Sequence, residues 1–281
     1  MSVPDHAGKS GKAFQKAKEE GRGALIGYLP VGYPDVPTSY AAMAALCGDG
    51  DNPGVDLVEI GLPYSDPMMD GPVIQRAGTS ALARGVHTRD VFGAIEAIAA
   101  TGTPAVAMTY WNLVDRYGVQ RFARDFANAG GCGLITPDLT PDEAGEWIAA
   151  SDEHDLDRIF LVAPSSSDER LKATAEASRG WIYATAIMGV TGTREQSSSL
   201  APVLVERLRA LAPDRLVGVG LGVSNGDQAA DVVSYADGAI VGSAFVRTLL
   251  DAEDAGRPGD FSALRRVVAD LADGVRRTPR S

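Results

Sequence analysis

With 281 residues, 45% of them hydrophobic and 32 of them glycine, the chain has material for one large α/β core or two modest ones. A formal net charge of -11 without a basic stripe sets its field against nucleic acid, and no apolar run suits a signal peptide or a membrane span. Cys47 and Cys132 lie far apart and His6, His87 and His154 are isolated from one another, so a metal site is not expected; two reduced thiols in a soluble cytoplasmic protein are.

From the amino terminus, residues 1–10 are expected to be flexible, and the Lys9 to Lys18 cluster reads as a solvated amphipathic segment. Residues 23–30 form a first strand, followed by the Val31-Gly32-Tyr33-Pro34 loop and a helix over 38–46. A second strand covers 55–61, a loop runs to Pro72, and helical patterns occupy 73–83 and 90–100. The third strand, 106–110, passes through Trp111-Asn112-Leu113 to a helix over 119–129. A short strand at 133–135 precedes Thr140-Pro141-Asp142-Glu143, whose capping residue, proline and reciprocal acid predict a helix start, with the helix running to about residue 151.

Next come a strand over 157–162, a helix opened by Ser167-Asp168-Glu169-Arg170, and a strand over 181–187. A Gly/Thr/Ser-rich loop then reaches Ser199. A helix at 202–210, a strand at 216–220, a helix at 227–234, a strand at 238–241 and a covering helix at 261–274 finish the pattern. Eight strands alternating with helices and no linker favour a closed parallel barrel over an open sheet. The expected architecture is a TIM (β/α)8 barrel with additional covering helices, a single domain over 1–281.

In such a barrel chemistry belongs where strands enter their following loops. Glu59 ends an apolar run, and a carboxylate in such a place needs either a partner or a task. It bonds to neighbouring backbone and hydroxyl groups, or it moves protons. Asp66 and Asp70 on the following loop are alternative second carboxylates, and a pair whose environments differ would supply an acid and a base. Tyr183 on the sixth strand either packs in the core or turns its hydroxyl to the opening. Tyr110, Trp111 and Asn112 form a planar wall that serves either folding or a ligand.

Gly220-Leu221-Gly222-Val223-Ser224-Asn225 follows the seventh strand and Gly242-Ser243-Ala244 the eighth. Glycines let backbone N–H groups approach an anion, and a helix after Val241 adds its positive end, so together these turns form the best phosphate seat in the chain. Neither an ATPase loop nor a dinucleotide fingerprint is present, which assigns the phosphate to a substrate. Gly189-Val190-Thr191-Gly192-Thr193-Arg194 is either a closing lid or a solvated linker.

Taken together, Glu59-Ile60-Gly61-Leu62-Pro63-Tyr64-Ser65-Asp66-Pro67, Asp70-Gly71-Pro72-Val73-Ile74-Gln75, Gly189-Val190-Thr191-Gly192, Gly220-Leu221-Gly222-Val223-Ser224 and Asp237-Gly238-Ala239-Ile240-Val241-Gly242-Ser243 resemble the tryptophan synthase alpha subunit family. The markers run in family order across most of the chain. The resemblance implies a carbon-carbon lyase that cleaves indole-3-glycerol phosphate to indole and glyceraldehyde 3-phosphate. It places Glu59 at the principal acid/base position and Asp70 at the indole nitrogen. It matches Tyr183, Thr191, Gly222, Gly242 and Ser243 to residues that contact substrate, and Tyr110, Gly192 and Gly220 beside them are expected to contact it too. It also implies a beta-subunit partner in an alpha2-beta2 complex. That partner holds the pyridoxal phosphate, because no lysine of this chain has a supporting motif. A stand-alone indole-releasing lyase and a noncatalytic phosphate-responsive barrel are the competing accounts.

Overall fold

The computed structural model describes residues 6–50, 52–185 and 194–278, with backbone alone over 194–199. Nine parallel strands are assigned: β1 (Ala24–Pro30), β2 (Leu57–Gly61), β3 (Ala105–Met108), β4 (Gly133–Ile135), β5 (Asp157–Ile159), β6 (Leu161–Val162), β7 (Ile182–Thr185), β8 (Val217–Gly220) and β9 (Gly238–Val241). They pair in the order β5-β4-β3-β2-β1-β9-β8-β7-β6. The two ends of that order are one strand interrupted at Phe160: β5 pairs with β4, β6 pairs with β7, and the Phe160 carbonyl accepts from Tyr183 N at 3.1 Å. Eight strands therefore close a TIM-type barrel, as the strand count predicts, and the break leaves no open edge.

Around the strands lie α1 (Gly11–Glu19), α2 (Val36–Leu46), α3 (Pro72–Ala83), α4 (Asp90–Ala99), α5 (Trp111–Tyr117) and α6 (Val119–Asn128). These are followed by α7 (Gly145–Glu153), α8 (Asp168–Ala177), α9 (Arg194–Leu211), α10 (Gly226–Val233), α11 (Ser243–Asp254) and α12 (Ser262–Arg276). Their starts follow local chemistry. Asp35 accepts from Thr38 N at 2.8 Å, and Asn225 from Gln228 N at 3.0 Å, each satisfying an N–H that has no partner within its helix. In α6 the buried residues Val119, Phe122, Ala123 and Phe126 recur at helical spacing and turn one face to the barrel.

Two helix starts differ from expectation. The Thr140 hydroxyl donates to the Glu143 carboxylate at 2.9 Å instead of accepting a backbone N–H, so the two capping side chains satisfy each other in a turn and α7 begins only at Gly145. α9 begins at Arg194, which leaves Pro202 inside the helix and not at its start.

The lysine-rich amino-terminal segment is amphipathic as read, but it is not simply solvated. Lys12, Lys16 and Lys18 are exposed, whereas Ala13, Phe14 and Ala17 are buried and cluster with the inward side chains of the strands. Phe14 meets Trp181 with ring centroids 5.3 Å apart. Ahead of the helix, the buried carboxylate of Asp157 accepts from Ser10 N and Ser10 Oγ, each at 2.6 Å, and from Lys9 N at 3.2 Å. α1 thus caps the end of the lumen from which the strands start. Above it Ile26, Leu57, Val106, Ile135, Ile159 and Ile240 fill the middle. Strand alternation places Tyr28, Glu59 and Tyr183 one layer higher.

Phe14→Ala is expected to lower stability by about 3–5 kcal/mol, the range for deleting a buried aromatic ring. Urea unfolding curves measure it; a change below ~0.5 kcal/mol would mean that α1 does not seal the lumen.

Candidate active site

Glu59 is two residues past Leu57 on the inward face of β2 and only 1% exposed, directly across from Tyr28 in the β1–β2 register. Among the described residues its buried Oε2 has no hydrogen-bond partner. Burial, and secondarily the charge of Asp70, push its carboxyl from 4.5 up to about 8. The group is therefore predominantly a neutral acid at pH 7, with its proton available.

Asp70 lies on the loop between β2 and α3, half-buried, its own carboxyl raised by burial. Asp66 on the same loop is exposed and accepts from Ser65 Oγ at 2.6 Å. The two carboxylates left open by sequence are thereby distinguished: Asp70 shares the field of Glu59, and Asp66 orders the turn. Two phenols complete the layer. Tyr183 is pushed well above the usual tyrosine range by burial, then by Glu59 and Asp70; Tyr28 is pushed up likewise by burial, then by Asp70 and Glu59. Both stay protonated at neutral pH and are hydrogen-bond donors.

Glycines make room for these rings. A Cβ at Gly61 would collide with the Tyr28 ring and hydroxyl, and one at Gly220 would lie 2.7 Å from the Tyr183 hydroxyl oxygen. Tyr28 is a candidate that the sequence reading missed. The signal was its place on the inward face, two residues after Ile26, but its position across from Glu59 emerges only from strand register.

β8 pairs with β9, so the turn carrying Gly220 and Gly222 sits beside Gly242 and Ser243. Gly222 has φ +67°, the left-handed region that favours glycine. Gly242 caps α11 and takes the N–H groups of Phe245 and Val246 at 3.0 and 3.1 Å; the N–H groups ahead of those are the ones at which a helix presents its positive end. Gly242 also faces Tyr28, with 3.2 Å from an added Cβ to the ring, so Tyr28 lies between the glycine turns and the carboxylates. Tyr110 is buried, stacks on Tyr64 at 4.7 Å between centroids, and accepts from Met68 N and Met69 N. Thr191 and Gly192, with the rest of the loop over 189–193, lie outside the described residues. Beyond the rim, a depression of about 400 Å³ is lined by Pro63, Tyr64, Leu82, Asn112, Arg116 and Tyr117. Among the described residues no cluster of three or more His, Cys, Asp and Glu side chains is placed to hold a metal ion, and no helix is long and apolar enough to cross a membrane.

Residues 14–272 match the family model described as the tryptophan synthase alpha chain. The chain belongs to the tryptophan synthase alpha chain family. It is 57% identical over 270 residues to the tryptophan synthase alpha chain of Mycobacterium intracellulare, covering 96% of this chain and 95% of that one. It is 59% identical over 266 residues to that of Salinispora arenicola, covering 95% and 97%. Among solved structures, Mycobacterium tuberculosis tryptophan synthase superposes with a TM-score of 0.87 at 56% identity, covering 96% of this chain and 99% of that one. The family chain in the a2b2 complex of Pyrococcus furiosus gives 0.80 at 31% identity, covering 90% and 98%.

The raised carboxyl makes a stability prediction. Below the ordinary glutamate range Glu59 is protonated both folded and unfolded. Between 4.5 and about 8 only the folded chain keeps that proton, so its contribution to stability falls as pH rises through this window. Glu59→Gln, which cannot ionise, is expected to gain roughly 1–4 kcal/mol over the parent between pH 5 and pH 9. Denaturant unfolding at both pH values reads this; an unchanged gap would contradict the buried acid.

Proposed function

We propose that Glu59 and Asp70 carry the proton transfers of the family's alpha-subunit reaction, the retro-aldol cleavage of indole-3-glycerol phosphate to indole and glyceraldehyde 3-phosphate. The observation that carries this assignment is the burial of the Glu59 carboxyl at the barrel mouth, where the lack of solvation and the charge of Asp70 raise it toward the neutral acid. Neutral Glu59 gives its proton to ring carbon C3, and the positive character that develops at the ring N–H is stabilised by the Asp70 carboxylate. Glu59, now a carboxylate, takes the proton of the side-chain hydroxyl next to C3. The carbon-carbon bond breaks, its electron pair returns to the ring, and the hydroxyl carbon leaves as the aldehyde. Indole is restored and Glu59 is neutral again, so the cycle closes without an added acid or base.

Around this pair, Tyr183 borders the ring site, Gly220, Gly222, Gly242 and Ser243 seat the phosphate, and Thr191 with Gly192 closes over it. The chain acts as a single barrel domain in the cytoplasm, paired with a beta subunit in an alpha2-beta2 complex. The pyridoxal phosphate is the beta subunit's, and no step on this chain passes through it. The face from Pro63 to Asp70, with the depression reaching Asn112, suits contact with that partner, to which indole passes without release.

Glu59→Gln is expected to lower kcat by about a thousandfold or more and Asp70→Asn by about a hundredfold, both with native circular dichroism. In the parent, kcat/KM should fall as pH rises past about 8, where Glu59 loses its proton, and fall on the acid side above the ordinary aspartate range, where Asp70 gains one. Substantial turnover by Glu59→Gln, with indole and aldehyde both quantified, would remove Glu59 from the chemistry.

A further inference from the structure

The loop that carries Asp70 is held from outside by two residues of neighbouring barrel segments. After Leu62, whose N–H bonds to the Met108 carbonyl at 3.0 Å, the loop leaves the sheet. Two of the bonds that next fix its backbone run to one atom: the Tyr110 hydroxyl oxygen accepts Met68 N at 2.8 Å and Met69 N at 3.2 Å, immediately before Asp70. A phenol oxygen has two acceptor positions, and these N–H groups take both. The ring is buried and stacked on Tyr64 of the same loop, so the hydroxyl does not swing freely. Tyr110 is in turn the N-cap of α5, and the next N–H, that of Trp111, is taken by both carboxylate oxygens of Asp138, at 2.9 and 3.2 Å. Asp138 stands on the loop after β4. Asp70 and Asp138 both act electrostatically on the Tyr110 phenol.

We infer that Asp138 and Tyr110 form a rim bracket that sets the position of Asp70: Asp138 fixes the start of α5, and Tyr110 at that start fixes the Asp70 loop. Both are positioning residues for the lyase reaction. This reassigns Tyr110, read from the sequence as a substrate contact, to a hold on the loop, and it rests on the proposed role of Asp70. A carboxylate that stabilises transient charge must be in place before the charge develops, and a loop shift of an ångström is enough to lose much of its effect. Phenylalanine keeps the ring and the stack but cannot accept the two N–H bonds.

The test is a kinetic double-mutant cycle on the full chain with its beta subunit, using indole-3-glycerol phosphate. Tyr110→Phe is expected to lower kcat about tenfold with KM within about twofold, and to lower it less than about twofold when Asp70→Asn is already present. Hydrogen exchange at the Met68 and Met69 amides should quicken in Tyr110→Phe, while unfolding in urea stays near the parent. Asp138→Ala should give a smaller fall in kcat that Asp138→Asn, which keeps one acceptor oxygen, largely restores. A rise in KM in place of the kcat loss would return Tyr110 to direct substrate contact and overturn the bracket. So would the same loss with and without Asp70. Asp70→Asn turning over like the parent would instead overturn the functional reading, and the bracket with it.

Discussion

A carboxyl group without full solvation or a full set of hydrogen bonds governs this molecule. Glu59 sits in a lumen whose lower layers are isoleucine, leucine, valine and tryptophan, and one of its oxygens has no partner among the described residues. Water would hold it as an anion at neutral pH; here burial keeps it an acid. That state is unfavourable for the fold and useful for the reaction, because it stores a deliverable proton at the barrel mouth. Much else at the mouth arranges neighbours for this group: the Tyr28 ring opposite, Tyr183 on β7, and Asp70 on the loop that follows β2.

The barrel divides the two demands along its axis. At the end where strands begin, α1 closes the lumen with Phe14 against Trp181, and Asp157 ties down Lys9 and Ser10. That end is closely packed and gives the cage its rigidity. At the opposite end glycines at 61, 220 and 242 leave space where side chains would otherwise fill the lumen. The unmatched carboxyl is tolerated because the layers beneath it are apolar and closely packed, a distribution common to sites that carry local strain or poor solvation.

How much of this could be read from residues alone depended on the range over which each feature is determined. The inward direction of Glu59 follows from alternation within one strand, and the strand count followed from patterns within single elements. The choice between Asp66 and Asp70 could not be made, since the loop path depends on the Tyr110 hydroxyl, which comes from beyond another strand. Tyr28 went unread for a related reason: its importance lies in its register against β2. The amphipathic stripe of α1 was visible, but the lumen it seals exists only after closure. The Thr140 capping pattern misled because the hydroxyl and the carboxylate satisfied each other instead of the helix backbone. The family motifs supplied the substrate and the roles, which composition and periodicity do not encode.

The claim that the Glu59 carboxyl is held as a neutral acid is open to direct titration. NMR of the Glu59 side-chain carboxyl carbon, followed through pH in the parent and in Asp70→Asn, reads that group and no other. The account predicts a midpoint near 8 in the parent and a lower one when the Asp70 charge is removed, because that charge is the second cause of the shift. A parent midpoint in the ordinary glutamate range near 4.5 would contradict it.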